Sequence, residues 1–253
     1  MLKKILIGVG VLIVLAGAGL YFLYSNLDSL IEAAIEKYGT AAIQAPVTVE
    51  SVALSPTSGS GAINGVVVGN PPGFTTPDAF RLGIISVAVD IATLTQNPVV
   101  IKEIVIAAPQ VTYERGSGTG NLETIRDNVQ KYAGTGGTTQ TAPAEGEPRK
   151  VIIENLHVRD GNVTVAASAL QGRTLSTGLP AIHLRDIGKD KGGATPAEVA
   201  QRVVGAIAEQ SARAGLASLN QSLRELGGAA QEQIERAAPG LTDRLRSVVP
   251  GAK

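Results

Sequence analysis

Apolar positions change their spacing repeatedly along this 253-residue chain. Residues 5–24 are almost continuously apolar and carry no charge. Residues 27–37 then read as a helix stopped by Gly39. From Pro46 the period becomes two: 47–49, 63–68, 80–91, 99–106 and 111–113 read as five strands separated by Gly, Pro, Asn and Asp signals. In the third of these Phe80, Leu82 and Ile84 share one phase while Ile85, Val87, Val89 and Ile91 share the other, which predicts a β-bulge or bend near Ile84. A short helix follows, with Asn121 as N-cap and Leu122, Ile125, Val129 and Tyr132 on one side.

The Gly, Thr and Pro content of 133–148 marks a flexible linker or long exposed loop. A second β block comes after it, at 151–159, 163–167, around Thr174 and at 181–186. It contains a short repeat, Leu156-His157-Val158-Arg159-Asp160 and Ile182-His183-Leu184-Arg185-Asp186. Alternation puts Leu156 and Val158, or Ile182 and Leu184, on one face of each strand. Thr195-Pro196-Ala197-Glu198 opens a final helical region: hydroxyl N-cap, Pro at the first helical position, Glu at the third. Its stripe runs through Val199, Val203, Val204 and Ile207 to Leu216, Leu219, Leu223 and Leu226. Gly227 and Gly228 are expected to break it, leaving weaker pieces at 231–238 and 241–249.

The uncharged stretch 5–24 would be about 30 Å long as a helix, the thickness of a bilayer core. Ile5, Leu12, Leu20 and Phe22 are its candidate anchoring side chains. Lys3 and Lys4 precede it, Tyr21, Phe22 and Tyr24 sit at its distal end, and Asp28 follows. The positive-inside rule then places the N-terminus in the cytoplasm and the bulk of the chain outside it. A cleaved signal peptide, cut near 16–18, is the competing reading. The organisation expected is therefore an anchor at 1–25, a juxtamembrane helix at 26–39, a first β block at 40–132, a linker at 133–148, a second β block at 149–193 and a helical region at 194–253.

Composition narrows the function. The 22 basic and 22 acidic groups cancel, and there is no Trp and no Cys. That argues against nucleic acid, which calls for a basic field and stacking platforms, and excludes thiolate chemistry and disulfides. Four of the eight aromatic residues lie in the first 38 positions, so the exported part is built from aliphatic side chains. His157 and His183 each precede an Asp by three residues, but in strands that spacing points the two groups to opposite faces, so both read as solvent-facing rather than metal-binding. Glu103, Glu114, Asp160 and Asp186 read as solvated strand-edge carboxylates. The Gly-rich run 116–121 precedes a helix yet lacks the Lys of a phosphate loop. No catalytic constellation emerges, so an enzyme is the last choice, and no metal or cofactor is implied.

The order of weak motifs carries one resemblance. Val52-Ala53-Leu54, the Asn70-Pro71-Pro72-Gly73-Phe74 turn, Val87-Ala88-Val89-Asp90, Ile101 to Val111 and Asn121-Leu122 follow one another as in AsmA-like proteins, and 153–161 and 179–188 resemble that family's later segments. The likeness covers about residues 1–195. It implies a single-pass inner-membrane protein, its bulk periplasmic, whose antiparallel strands, including a hairpin at 101–111, curl into an open taco-shaped groove. Eight or nine strands at about 4.8 Å would make a groove of about 40 Å. Family members are associated with phospholipid transport and outer-membrane homeostasis. The residues expected to line an acyl-chain groove are Val87, Val89, Ile104, Ile106, Val111, Leu156, Val158, Ile182 and Leu184, with phospholipid, the inner membrane and other envelope proteins as partners. An envelope scaffold acting through the β domain and the C-terminal helix is the alternative, and a closed β-sandwich of the water-stress type a third. A helix filling the concave side would favour the scaffold.

Overall fold

The computed structural model describes residues 26–115, 118–134, 149–167 and 174–237. The anchor residues Ile5, Leu12, Leu20 and Phe22 lie outside them, as do the linker positions 135–148. Helix α1 (Leu27–Ile43) runs on through Gly39 and ends at Gln44, whose left-handed φ of 59° lets its N–H return to the Thr40 carbonyl. Gly39 does not stop the helix because its missing side chain is what admits Val47: a Cβ there would sit 3.2 Å from Val47 Cγ1.

Ten strands form one mixed sheet that does not close on itself. They are β1 (Val47–Thr48), β2 (Ser51–Ser55), β3 (Ser60–Gly69), β4 (Asp78–Val89), β5 (Val99–Ala107), β6 (Gln110–Arg115), β7 (Val151–Arg159), β8 (Asn162–Ala167), β9 (Thr174–Gly178) and β10 (Ile182–Ile187). The register reduces the ten to six lines. Ile84 faces Ala107 and Arg81 faces Gln110 in the same alignment, so β5 and β6 are one line interrupted at Ala108 and Pro109, not the expected hairpin. The same holds for β1 with β2 against β3, for β7 with β8, and for β10 with β9. Six lines at about 4.8 Å span roughly 24 Å, well short of the 40 Å expected from counting strands. The two β blocks are one sheet, joined where β7 lies parallel to β5 and β8 parallel to β6. A parallel step needs a long crossover, and α2 (Asn121–Gly134) sits in it. The sheet is therefore mixed rather than antiparallel.

The interruptions themselves line up. Gly65 falls opposite Gly83 between the pairs Asn64 with Ile84 and Val66 with Leu82; by the same register Gly83 faces Ala108, and Ala108 faces Asp160. Gly65, Ala108 and Asp160 all have positive φ, at 60°, 48° and 57°. Ala and Asp adopt that region at a cost, so a row of such positions marks a line across which the sheet bends. The phase change near Ile84 belongs to this row. It is not a bulge, since β4 keeps one register with β3 from Phe80 to Ala88, and the shifts fall at Val68/Gly69 and, against β5, at Ala88/Val89.

The outer edge of β1 and β2 is covered by α1. Thr40 Oγ1 accepts from the Val47 amide at 3.0 Å, Glu36 Oε1 from Val49 at 2.9 Å and Asp28 Oδ1 from Leu54 at 3.0 Å. Donors that could template a foreign strand are thereby occupied, and the same bonds fix the N-terminal end of α1 beside the Ser55–Ser60 turn.

Helix α3 (Pro196–Ala237) begins at the expected capping box: the Thr195 amide donates to Glu198 Oε2 at 2.8 Å and the Glu198 amide to Thr195 Oγ1 at 3.2 Å. The bond from the Thr195 backbone, against some burial, holds the Glu198 carboxyl below its ordinary value. Thr195→Ala is expected to cost about 1 kcal/mol in chemical denaturation. The helix passes through Gly227 and Gly228 without breaking. Each interior Gly costs about 1 kcal/mol, which the surrounding Ala, Gln, Glu, Arg and Leu, strong helix formers, offset. At Gly215 it presses closest to the sheet, where a Cβ would lie 2.9 Å from Val165 Cγ2.

Candidate functional site

The register assembles most of the sequence-derived groove. Val87, Ile104, Leu156 and Leu184 form one cross-strand row, and Val52, Ile63, Ile85, Ile106, Val158 and Ile182 the next. Val89 sits at the end of the sheet, at a register shift opposite Ile101. Val111 lies beyond the bend, opposite Phe80 and Val163.

Their burial tells against an open trough. Val111 and Val158 are 1% exposed, Leu156 2%, Ile106 5% and Ile182 7%; Val87, Val89, Ile104 and Leu184 are half-buried. These buried strand residues share one hydrophobic cluster with Leu122, Ile125 and Val129 of α2 and Ile207 and Ala208 of α3, with Val199, Val203 and Val204 packed against it. The strand residues alternate as a half-buried sheet should, and what the five buried ones, Ile106, Val111, Leu156, Val158 and Ile182, contribute is core. Alternation reports that a face is buried but not whether protein or ligand buries it.

A second apolar surface was not legible as a site. Helices α1, α2 and α3 leave between them a cleft of about 450 Å³, lined by Ile35, Tyr38, Val129, Tyr132, Ala197 and Val204. Four of its lining residues, Gly39, Ala42, Ala197 and Ala200, are small. That run of small residues was the available signal, and it needed the helix pairing to be read. The rim is polar. Tyr38 is 53% exposed, with the Lys37 ammonium 5.8 Å from its ring centroid. Burial, then the neighbouring Tyr38, raises the Tyr132 phenol above its ordinary value. The Thr195 cap closes another side. An apolar interior of this volume with a few polar groups at the mouth is the form of a site for one amphipathic small molecule.

The titratable groups do other work. His157 and His183 stack across β7 and β10 with centroids 4.0 Å apart, and His183 Nε2 lies 3.1 Å from Asn155 Oδ1. Partial desolvation, then His157 and Arg185, lowers the His183 value. Among the described residues no three His, Cys, Asp or Glu side chains gather as metal ligands. A depression at the start of α3 holds Arg185, Lys191 and Arg202 against Asp186, Asp190 and Glu198, so it has no net preference of sign.

Glu114, expected at a solvated edge, is 7% exposed and accepts from the amides of Thr75 and Thr76 at 2.8 and 2.7 Å and from both hydroxyls. It ties the β3–β4 connection to β6. Part of the Gly-rich run, 116–117, lies outside the described residues.

No protein-family model, curated protein or solved structure matches the chain. No helix among the described residues is long and apolar enough to cross a membrane.

Proposed function

We propose that the chain is a membrane-anchored, non-enzymatic protein of the bacterial envelope, AsmA-like in plan, that holds an acyl chain of a phospholipid in the cleft between its three helices. The observation that carries this reading is the cleft itself: about 450 Å³, apolar within and polar at the rim, formed by the helix that directly follows the uncharged stretch 5–24. The uncharged stretch supports an inner-membrane anchor, and the aliphatic composition supports a hydrophobic ligand held by burial without chemistry. The half-buried row of Val87, Ile104 and Leu184 offers the remaining strand surface to such a ligand, while the more deeply buried positions hold the sheet to the helices.

Native mass spectrometry of the gently purified full chain tests it. The wild-type protein is expected to carry phospholipid. Ala200→Phe, which adds a six-carbon ring to the cleft wall and so displaces at least two methylenes of ligand, is expected to weaken retention by roughly tenfold or more at about 0.8 kcal/mol per methylene. A protein that carries no lipid, or an Ala200→Phe variant that retains it undiminished, refutes the cleft.

A scaffold is the second reading, favoured by one observation. Leu216 packs on the core, and among the described side chains just beyond it Ala217, Asn220 and Arg224 are exposed. Photo-crosslinking from Arg224 in cells would capture an envelope protein under this reading.

A further inference from the structure

We infer that the turn carrying Ile91 and Leu94 is a wedge seated in the surface of a lipid bilayer, beside the point where the chain leaves its anchor. The inference rests on the membrane-anchor part of the proposed function and not on the cleft.

Ile91 and Leu94 belong to a 3-10 turn (Ile91–Thr93) and its cap, directly after β4. They are 50% and 40% exposed, although the turn itself is firmly held: Asp90 accepts from the Ala92 amide at 3.2 Å, Thr93 Oγ1 from Val100 at 2.9 Å, and the Val89 amide donates to Gly59 at 2.7 Å. A rigid turn presenting two large aliphatic side chains to water gains nothing by doing so, and a bilayer interface rewards it.

The placement of α1 supplies the second observation. Its Asp28 is bonded to Leu54, whose line turns at Ser55–Ser60, and Gly59 in that turn lies against Ile91: a Cβ there would be 2.7 Å from Ile91 Cγ2. The N-terminal end of α1 and the Ile91 turn are thus at the same end of the sheet. Leu30 and Ile31 of α1, exposed at 51% and 37%, share that end. Residue 26, where the described chain begins, follows the uncharged stretch 5–24 by a single residue, Ser25. A bilayer holding that stretch therefore lies at the end of the sheet where these four side chains are exposed.

The charge at this end is mixed. The Arg149 guanidinium donates to the Leu94 carbonyl at 2.7 Å, and Lys150 lies against Gly193. Lys102 and Lys189 pair with Asp90 and Asp186, and Asp190 and Glu198 also face this end. Arg149, Lys150 and Lys191 have no ion-pair partner among the described residues, though Lys191 and Lys150 lie within electrostatic reach of Glu198, so the exposed aliphatic side chains and not the charge carry the wedge. One cleft wall, Thr195 and Pro196, begins two residues after Gly193, which brings the candidate lipid site next to the same surface.

The chain has no Trp, so one introduced residue reports alone. The full chain carrying Leu94→Trp, reconstituted into vesicles of phosphatidylethanolamine and phosphatidylglycerol, is compared with the same protein carrying Ile84→Trp. Ile84 is 52% exposed at the middle of the sheet. With phospholipids brominated near the top of the acyl chains, Trp at 94 is expected to lose about half its emission, as for a side chain about 5–10 Å into the headgroup boundary, and Trp at 84 almost none. Equal, weak quenching at both positions in protein that co-floats with vesicles overturns the wedge and leaves the anchor standing. Failure to co-float overturns both. A blue shift at 94 that rises with protein concentration in detergent assigns the patch to a second copy and also overturns it. Lipid retention in the cleft is read separately and does not enter this outcome.

Discussion

Leu156→Ala is expected to lower the free energy of unfolding by about 2–5 kcal/mol, with a loss of cooperativity in thermal melting. The magnitude follows from its surroundings. Leu156 is 2% exposed and stands between Ile104 on one side and Leu184 on the other, in the same cluster as the helix residues. Truncation removes three heavy atoms, Cγ, Cδ1 and Cδ2, whose space neighbours refill at most partly, so a cavity remains. A side chain lining an open groove behaves differently, because water or lipid reaches the site and the change stays near 1 kcal/mol or below. Leu184→Ala, on the same row but half-buried, provides the internal comparison and is expected to cost clearly less. Urea denaturation of both variants, with the slope unchanged from wild type, measures the difference directly. Equal small losses at the two positions would return the strand face to the ligand.

The pair explains what the sequence could and could not convey. Alternation around Leu156-His157-Val158 and Ile182-His183-Leu184 correctly places these residues in strands with the apolar positions on one face, but that the two strands pair, with His157 opposite His183, was not legible from the repeat. The local signals at Asn121 and at Thr195-Pro196-Ala197-Glu198 mark helix starts because capping depends only on residues within one turn; Thr195 is the expected cap, whereas Gly120, whose carbonyl accepts from Thr124, holds the cap position expected for Asn121. Topology was harder. The break at Ala108-Pro109 looks like a hairpin turn in sequence, yet the chain continues in line, since a single left-handed residue bends a strand without reversing it. Strand β2 (Ser51–Ser55) is short, with only Val52, Ala53 and Leu54 between two serines, and it is held by β3 beside it and α1 at its edge. The cleft was invisible for the same reason: three helices far apart in sequence make it, and no one of them carries a distinctive pattern.

Asn121→Ala is expected to destabilise the fold by about 3 kcal/mol or more, although it removes only a small polar side chain. Asn121 is fully buried. Its Oδ1 accepts from the amides of Leu122 and Glu114, both at 2.9 Å, while its Nδ2 donates to Asn70 Oδ1 and to the Thr112 carbonyl, both at 2.8 Å. Its bond to the Leu122 amide in the first turn of α2 is alone worth about 1 kcal/mol. Here alanine also strands buried backbone groups of Glu114 and Thr112, each costing about 1–3 kcal/mol when left unpaired. The next link is Glu114, clasped by Thr75 and Thr76. Burial pushes its carboxyl up, but the bonds from the Thr76 hydroxyl and amide and then those from Thr75 outweigh that, and the net value lies below the ordinary one. A depressed folded-state value means that this stabilisation is complete above the unfolded carboxyl value and is lost as pH falls through the folded one. Stability of the wild type is therefore expected to decline on acidification below about pH 4.5, the ordinary glutamate value. In Glu114→Gln the amide group must turn one N–H toward donors it cannot satisfy, so the variant is expected to be less stable near neutrality and to lose this carboxylate's share of the acid dependence. Paired denaturation curves at neutral and acid pH read both effects. An acid limb unchanged in Glu114→Gln would assign it to other carboxylates, and a loss below 1 kcal/mol in Asn121→Ala would show that water replaces the asparagine.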